Sequence, residues 1–177
     1  MSEGFDGYYD GYYDGLSVRR LFTDEIIAVL TLQEIVYNAM PEKNHLVLST
    51  EEEFAVSLKD DFCVGAFDGD VLIAVTTMIM NRECERNIGG IIGFNPLECV
   101  TYDTTFVHPD YRGRGIQRRF ITVKDDAARK SGAKYAFSTV SPENSYSLNN
   151  VLSGGFEIVE RRTMYSGYER YIMKKIL

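Results

Sequence analysis

Hydrophobic and polar residues change their spacing several times along the 177-residue chain, and each change marks an element. Leu16 to Phe22 alternates every second residue, as a half-buried strand does. Apolar residues then recur at helical spacing through Ile26, Ile27, Leu30, Ile35 and Val36 to about Met40. Thr23 or Asp24 can cap this helix, and Pro41 helps end it. Thr50-Glu51-Glu52-Glu53 is a capping-box pattern that opens a short helix to about Lys59. Phe62 to Phe67 and Val71 to Met80 are β-rich runs joined by Asp68-Gly69-Asp70, a strong hairpin signal. Residues 81–96 carry Gly89, Gly90 and Gly93 and read as a long excursion, either a cover over a substrate site or simple disorder.

The second half begins with a β-branched and aromatic strand, about Cys99 to Val107. A helix follows from Gly115, its buried stripe made by Ile116, Phe120, Val123 and Ala127, and Gly132 stops it. Lys134 to Val140 reads as a strand and Ser145 to Ser153 as a short helix. Phe156 to Met164 and Glu169 to Ile176 form two strands around Ser166-Gly167. Before Leu16 the chain repeats Gly-Phe-Asp, Gly-Tyr-Tyr-Asp, Gly-Tyr-Tyr-Asp, with glycines every fourth residue that oppose a helix. Residues 1–15 are therefore expected to be an acidic tail, mobile or loosely docked, and residues 16–177 the folded domain. A sharper expectation places Tyr8, Tyr9, Tyr12 and Tyr13 in a groove of this or a neighbouring subunit.

Composition narrows the function. Apolar residues make up 45% and charged residues 25%, values of a globular protein with a real core. A net charge of −7 disfavours nucleic acid or an anionic membrane as partner, and no apolar run is long enough to span a bilayer. Cys63, Cys84, Cys99, His45 and His108 share no metal-like spacing, so neither a metal site nor a disulfide framework is expected. The tail has no apolar core of a targeting signal, and a reduced, cytoplasmic protein is the expectation.

The chemistry concentrates in Thr105-Phe106-Val107-His108-Pro109-Asp110-Tyr111-Arg112-Gly113-Arg114-Gly115-Ile116-Gln117. A strand stops at a proline, a turn with two glycines follows, and a helix begins. Unpaired amides and the positive dipole end of a helix make such a turn a seat for phosphate. A Walker loop is excluded because no Lys-Ser/Thr pair follows, and a dinucleotide fingerprint because Arg118 stands where its third glycine belongs. The plain alternative is an ordinary strand-to-helix turn with solvated arginines.

Arg112-Gly113-Arg114-Gly115-Ile116-Gln117 resembles motif A of the GNAT (GCN5-related) N-acyltransferases, Arg/Gln-x-x-Gly-x-Gly/Ala, with Gln117 where that family has a small residue. From Asn144, Asn-Ser-Tyr-Ser-Leu-Asn-Asn-Val-Leu-Ser-Gly-Gly-Phe resembles motif B, with Asn144, Ser147, Gly155 and Phe156 on its frame. The element order β-α-α-β-β-β-α-β-α-β-β is also that of the family. The resemblance implies an α/β (α+β) GNAT fold. Its mixed central sheet of six to seven strands is splayed between the fourth and fifth, with about four helices beside it.

It implies acetyl-CoA as co-substrate, with Arg112, Gly113, Arg114, Gly115, Ile116 and Gln117 at the diphosphate. Phe106 and Val107 would pair with pantetheine, and Asn144 and Ser147 would hold CoA from motif B; Asn144 is equally a helix cap. Transfer would be direct, to a primary amine of a small molecule, amino acid or peptide, with the Val107 N–H stabilising the oxyanion. Strict alternation puts Thr101, Asp103, Thr105 and Val107 on one face. The family's glutamate position is Thr101, so Asp103 is the nearest carboxylate for a base, or else a strand-end hydrogen-bonding residue. Glu98 and His108 are weaker candidates. The family's acid, a motif B tyrosine, falls at Val151, which leaves Tyr146 one turn earlier or solvent. The other classes are a CoA-binding module with little or no catalysis and an interaction protein using the fold as scaffold. Monomer and homodimer both stay open.

Overall fold

The computed structural model describes residues 11–80 and 83–177. Among these residues eight strands form one sheet in the order β1-β2-β3-β4-β5-β6-β8-β7. They are β1 (Gly11–Tyr13), β2 (Leu16–Arg20), β3 (Phe62–Asp68), β4 (Val71–Ile79), β5 (Cys99–Val107), β6 (Tyr135–Val140), β7 (Glu157–Met164) and β8 (Tyr168–Ile176). The helices are α1 (Ile26–Asn38), α2 (Glu51–Lys59), α3 (Ile88–Ile91), α4 (Ile116–Lys130) and α5 (Ser145–Ser153). None of them is long and apolar enough to cross a membrane.

Local signals explain most of this. Thr50 and Glu53 close the capping box: Thr50 Oγ1 accepts from the Glu53 N–H at 3.2 Å, and Glu53 Oε2 from the Thr50 N–H at 2.9 Å. Gly69, at φ +56°, turns the β3–β4 hairpin. The α1 helix is entered differently from the expectation. Residues Thr23–Glu25 form a 3-10 turn, and Glu25 rather than Thr23 or Asp24 secures it, accepting from the Phe22 N–H at 2.9 Å.

Two features depart from the sequence expectation. Among the described residues the sheet already includes Gly11, because Asp14 and Gly15 adopt positive φ and fold part of the expected tail back as strand β1 against β2. Tyr12 is 85% exposed, and Tyr8 and Tyr9 lie outside the described residues. The excursion after β4, where described, is anchored. Asn87 caps the one-turn α3, whose Ile88 N–H bonds to Thr101 Oγ1 at 3.0 Å. Gly89 packs so close to Cys99 that a Cβ there would lie 2.6 Å from its sulfur.

Helices α1 and α2 cover one face of the sheet, burying Val29, Leu32, Phe54 and Leu58 with Phe106. Helices α4 and α5 cover the other, burying Phe120, Ile121 and Val151 with Tyr102 and Val100. Phe120 is fully buried. Phe120→Ala is expected to lower unfolding free energy by about 3–5 kcal/mol, read from chemical denaturation, because the rigid sheet cannot collapse into the void.

Candidate active site

Strands β5 and β6 are the parallel pair of the sheet, and they stay paired only from Cys99↔Tyr135 to Tyr102↔Ser138. Beyond that point β6 continues on β8 through Thr139↔Ile172 and Val140↔Tyr171, while β5 continues on β4 to Ala74↔Val107. The two strands part and leave a wedge. The Thr104 N–H bonds Thr77 Oγ1 at 3.1 Å and the His108 N–H bonds the Ile73 carbonyl at 2.8 Å, both toward β4. Alternation turns the amides of Thr105 and Val107 the other way, into the wedge. The Phe106 amide faces β4, and its ring packs edge-on to Phe54 at 6.3 Å. Phe106 thus contributes a core side chain, not an amide, to this region.

At the end of β5 the chain enters the glycine bend. His108 Nδ1 accepts from the Asp110 N–H at 3.3 Å and closes a 3-10 turn over Pro109–Tyr111. Gly113 at φ +79° and Gly115 at φ +75° then take left-handed backbone, which bends the chain into α4. The amides of Gly113 through Arg118 have no partner among the described residues; the Arg119 N–H is the first bonded, to the Gly115 carbonyl at 3.0 Å. Arg112 and Arg118 are exposed at the rim.

The end of β1 lies beside this bend without taking its amides. The Tyr13 hydroxyl donates to the Arg114 carbonyl at 3.3 Å, and Arg114 Nε bonds the Asp14 carboxylate at 3.0 Å. Gln117 is held against α5, donating to Ser147 Oγ at 3.1 Å and accepting from Asn150 Nδ2 at 2.8 Å. Its length is therefore drawn sideways, away from the amides.

The wedge opens into a cleft of about 500 Å³. On its α2 side Asp103, 25% exposed, lies 3.6 Å from the Arg86 guanidinium, which also pairs with Glu53 at 3.0 Å. Burial raises the Asp103 pKa above the ordinary carboxylate value, with Arg86 pulling it down and Glu53 pushing it up. Tyr165, at φ +49° in the β7–β8 turn, reaches the cleft and shares a 3.0 Å hydrogen bond with Thr139. On the α4 side Lys124 is 3% exposed, with Nζ 3.2 Å from Thr105 Oγ1. Burial lowers its pKa to about 7, against the attraction of Asp103 and Asp125.

Residues 17–147 match the family model described as an acetyltransferase (GNAT) domain. The chain belongs to the GNAT acetyltransferase family. No curated protein matched it. Among solved structures it resembles the NatC complex bound to Gag peptide and CoA (13% identity, TM-score 0.70, 92% of this chain and 98% of that one). It also resembles the ribosomal-protein-S18-alanine N-acetyltransferase from Escherichia coli (17%, 0.68, 91% and 93%) and yncA from Salmonella typhimurium with acetyl-CoA (16%, 0.67, 93% and 95%). At these identities the likeness is one of fold. The splayed mixed sheet is the GNAT architecture, with eight strands where six to seven were expected.

Within this GNAT domain the expected site residues divide. A β-bulge sets two residues of β5, Asp103 and Thr104, opposite the single Thr77 of β4 and reverses the alternation. Thr101 and Asp103 consequently face the α2–α3 side, whereas Thr105 and Val107 face α4; the four do not share one face. Thr101 is committed to anchoring α3. Asn144 caps α5, its Oδ1 accepting from the Ser147 N–H at 3.1 Å. Tyr146 is 86% exposed and does not line the cleft, because it falls on the outer side of α5, while Val151 does line it. Glu98 pairs with Lys134 at 2.6 Å, and His108 is spent on its turn. Arg86, Lys124 and Tyr165 were not singled out from sequence. Lys124 alone left a signal: it stands four residues after Phe120, on a helix face that the spacing buries.

The lowered Lys124 value has a measurable consequence. A lysine at about 7 when folded and near 10.4 when unfolded binds fewer protons in the native state between these limits. Stability attributable to it therefore rises with pH across that window. Between pH 7 and 9 the wild type should gain stability relative to Lys124→Met by at most about 1.4 kcal/mol per pH unit, measured by denaturant unfolding.

Proposed function

We propose that this acetyltransferase moves an acetyl group directly from acetyl-CoA to a primary amine of a small molecule, amino acid or peptide. The observation that carries the reading is the run of amides from Gly113 to Arg118, without a partner among the described residues, at the mouth of the β5–β6 wedge. Amides converging on a helix N-terminus suit a diphosphate, and the wedge beside them suits the extended arm that hangs from it. Residues 16–177 supply this domain, with β1 as an added edge strand.

In this reading the thioester follows the β5 edge. The Val107 amide, free of β4, is the donor for the carbonyl oxygen as negative charge develops there. Asp103 takes a proton from the attacking ammonium, directly or through water. Its raised pKa brings it nearer to the working pH while Arg86 holds the carboxylate in place. Donor and amine held in one cleft supply much of the remaining acceleration. No covalent enzyme intermediate is needed. Peptide amines as acceptors draw support from similarity to proteins named for Gag peptide and S18 alanine. Three unbridged cysteines fit a reducing cytoplasm.

The second reading, a CoA-binding module with little catalysis, is favoured by one observation: Val151 occupies the family's acid position and Tyr146 points outward. CoA release from acetyl-CoA across a panel of amines and peptides decides between them, since saturable CoA binding without release would select the module. Gly115→Trp should abolish CoA binding in isothermal titration, both by filling the diphosphate seat and by forcing a bulky residue into left-handed backbone; unchanged affinity would refute the seat. Asp103→Ala should lower turnover about 100-fold while leaving CoA affinity within about two-fold. Wild-type turnover should rise with pH through a value above the ordinary aspartate range, and that limb should vanish in the variant.

A further inference from the structure

A cation on the buried face of α4 is costly, and its surroundings say what it faces. The β5 bulge puts Tyr102 and Thr105 on the same side of the sheet, and Lys124 Nζ reaches both. It lies 3.2 Å from Thr105 Oγ1 and 4.7 Å from the centre of the Tyr102 ring. No carboxylate oxygen lies within 4.0 Å of it among the described residues. Asp103 is across β5 on the other face. Asp125, its neighbour on α4, is held by the Tyr102 hydroxyl at 2.6 Å and by Lys175 at 2.5 Å. Thr76 of β4, hydrogen-bonded to Thr105 at 2.7 Å, is neutral, as are Ser138 of β6 and Val151 of α5 on the same cleft. The other titratable groups lining the cleft are Glu53, Glu85 and Arg86 on the α2–α3 side, with His45, Tyr165 and Arg170 at its far end.

Thr105 and Val107 both face the wedge, and Thr105 is two residues farther from the glycine bend. An acyl-CoA arm that enters at the bend and passes Val107 carries its sulfur toward Thr105, and so toward Lys124. We infer that Lys124 is the general acid of the reaction, giving its Nζ proton to the departing CoA sulfur. This rests on the CoA reading above.

The step balances without another reactant. The amine lone pair forms the C–N bond and the carbonyl electrons move to oxygen. As the carbonyl re-forms, the C–S bond breaks and its electron pair leaves on sulfur. Nζ–H supplies the proton that turns thiolate into thiol, the attacking nitrogen releases its extra proton to water as it becomes the amide, and the neutral Lys124 amine takes one proton back from water. An ammonium of lowered pKa can give a proton to a thiolate whose thiol titrates near 8.5, so the transfer runs downhill. Lys124 takes over the work that a motif B tyrosine would do at Val151.

The test needs no identified acceptor. CoA bound to wild type and to Lys124→Met is titrated from pH 6 to 10, and thiolate is read by its ultraviolet absorbance against CoA lacking its sulfur. Lys124→Arg, whose guanidinium stays charged through this range, should make thiolate appear about one pH unit lower than in Lys124→Met if residue 124 stands beside the sulfur. The wild type, whose lysine has given up its proton near pH 7, should follow Lys124→Met above pH 8, and saturable CoA binding shows that each variant is folded. Saturable CoA binding with the same thiol midpoint in all three proteins would overturn Lys124 alone. Absence of CoA binding to the wild type would overturn the CoA reading, and Lys124 with it.

Discussion

Everything in this protein depends on the early end of the β5–β6 ladder. A sheet gains nothing by opening in its middle, because every unpaired amide and carbonyl is an unmet hydrogen bond. Here the opening is enforced from both sides. Strand β6 finds a full partner in β8 as far as Val140, and β5 finds one in β4 as far as Val107. The α4 crossover between them holds the strands together only at their first four residues. The free edge is the groove into which a linear substrate can be laid, and the glycine bend at its mouth adds helix-start amides that have no partner among the described residues.

The bulge in β5 gives that groove two chemically different walls. Without the extra residue, Asp103 and Thr105 would project to the same side. With it, the carboxylate meets Arg86 and Glu53 under α2, and the threonine meets Lys124 under α4. Asp103 is partly and Lys124 almost wholly withdrawn from water, and burial moves them in opposite directions: Asp103 up, Lys124 down. Such convergence toward neutrality is what acid and base groups need at one operating pH.

The fold's edge at β1 is a quieter consequence of the same bend. Strand β1 pairs with β2, yet its last residues reach the bend, where Tyr13 touches the backbone and Asp14 meets Arg114. These contacts satisfy a carbonyl and a guanidinium and leave the amides alone. The acidic Tyr-Asp-Gly pattern is thus partly structural, closing a hairpin beside the site.

Elements whose cause is local were legible in the amino-acid order alone. The Thr50 box, the Asp68–Asp70 turn, the glycine bend and the span Ser145–Ser153 each follow from a few neighbouring side chains and backbone preferences. With the glycine bend and the second motif in order, the GNAT family was legible too. What the tertiary structure decided is which way side chains face. A one-residue bulge arises from how β5 pairs with β4, not from anything inside β5, and it moved Thr105 and Val107 away from Asp103. The outward turn of Tyr146, the Thr101–α3 bond and the burial of Lys124 against Tyr102 and Thr105 of β5 likewise depend on contacts between residues far apart in the chain. Short-range sterics fix the elements; only packing across the sheet fixes their faces, and the chemistry of this cleft is a matter of faces.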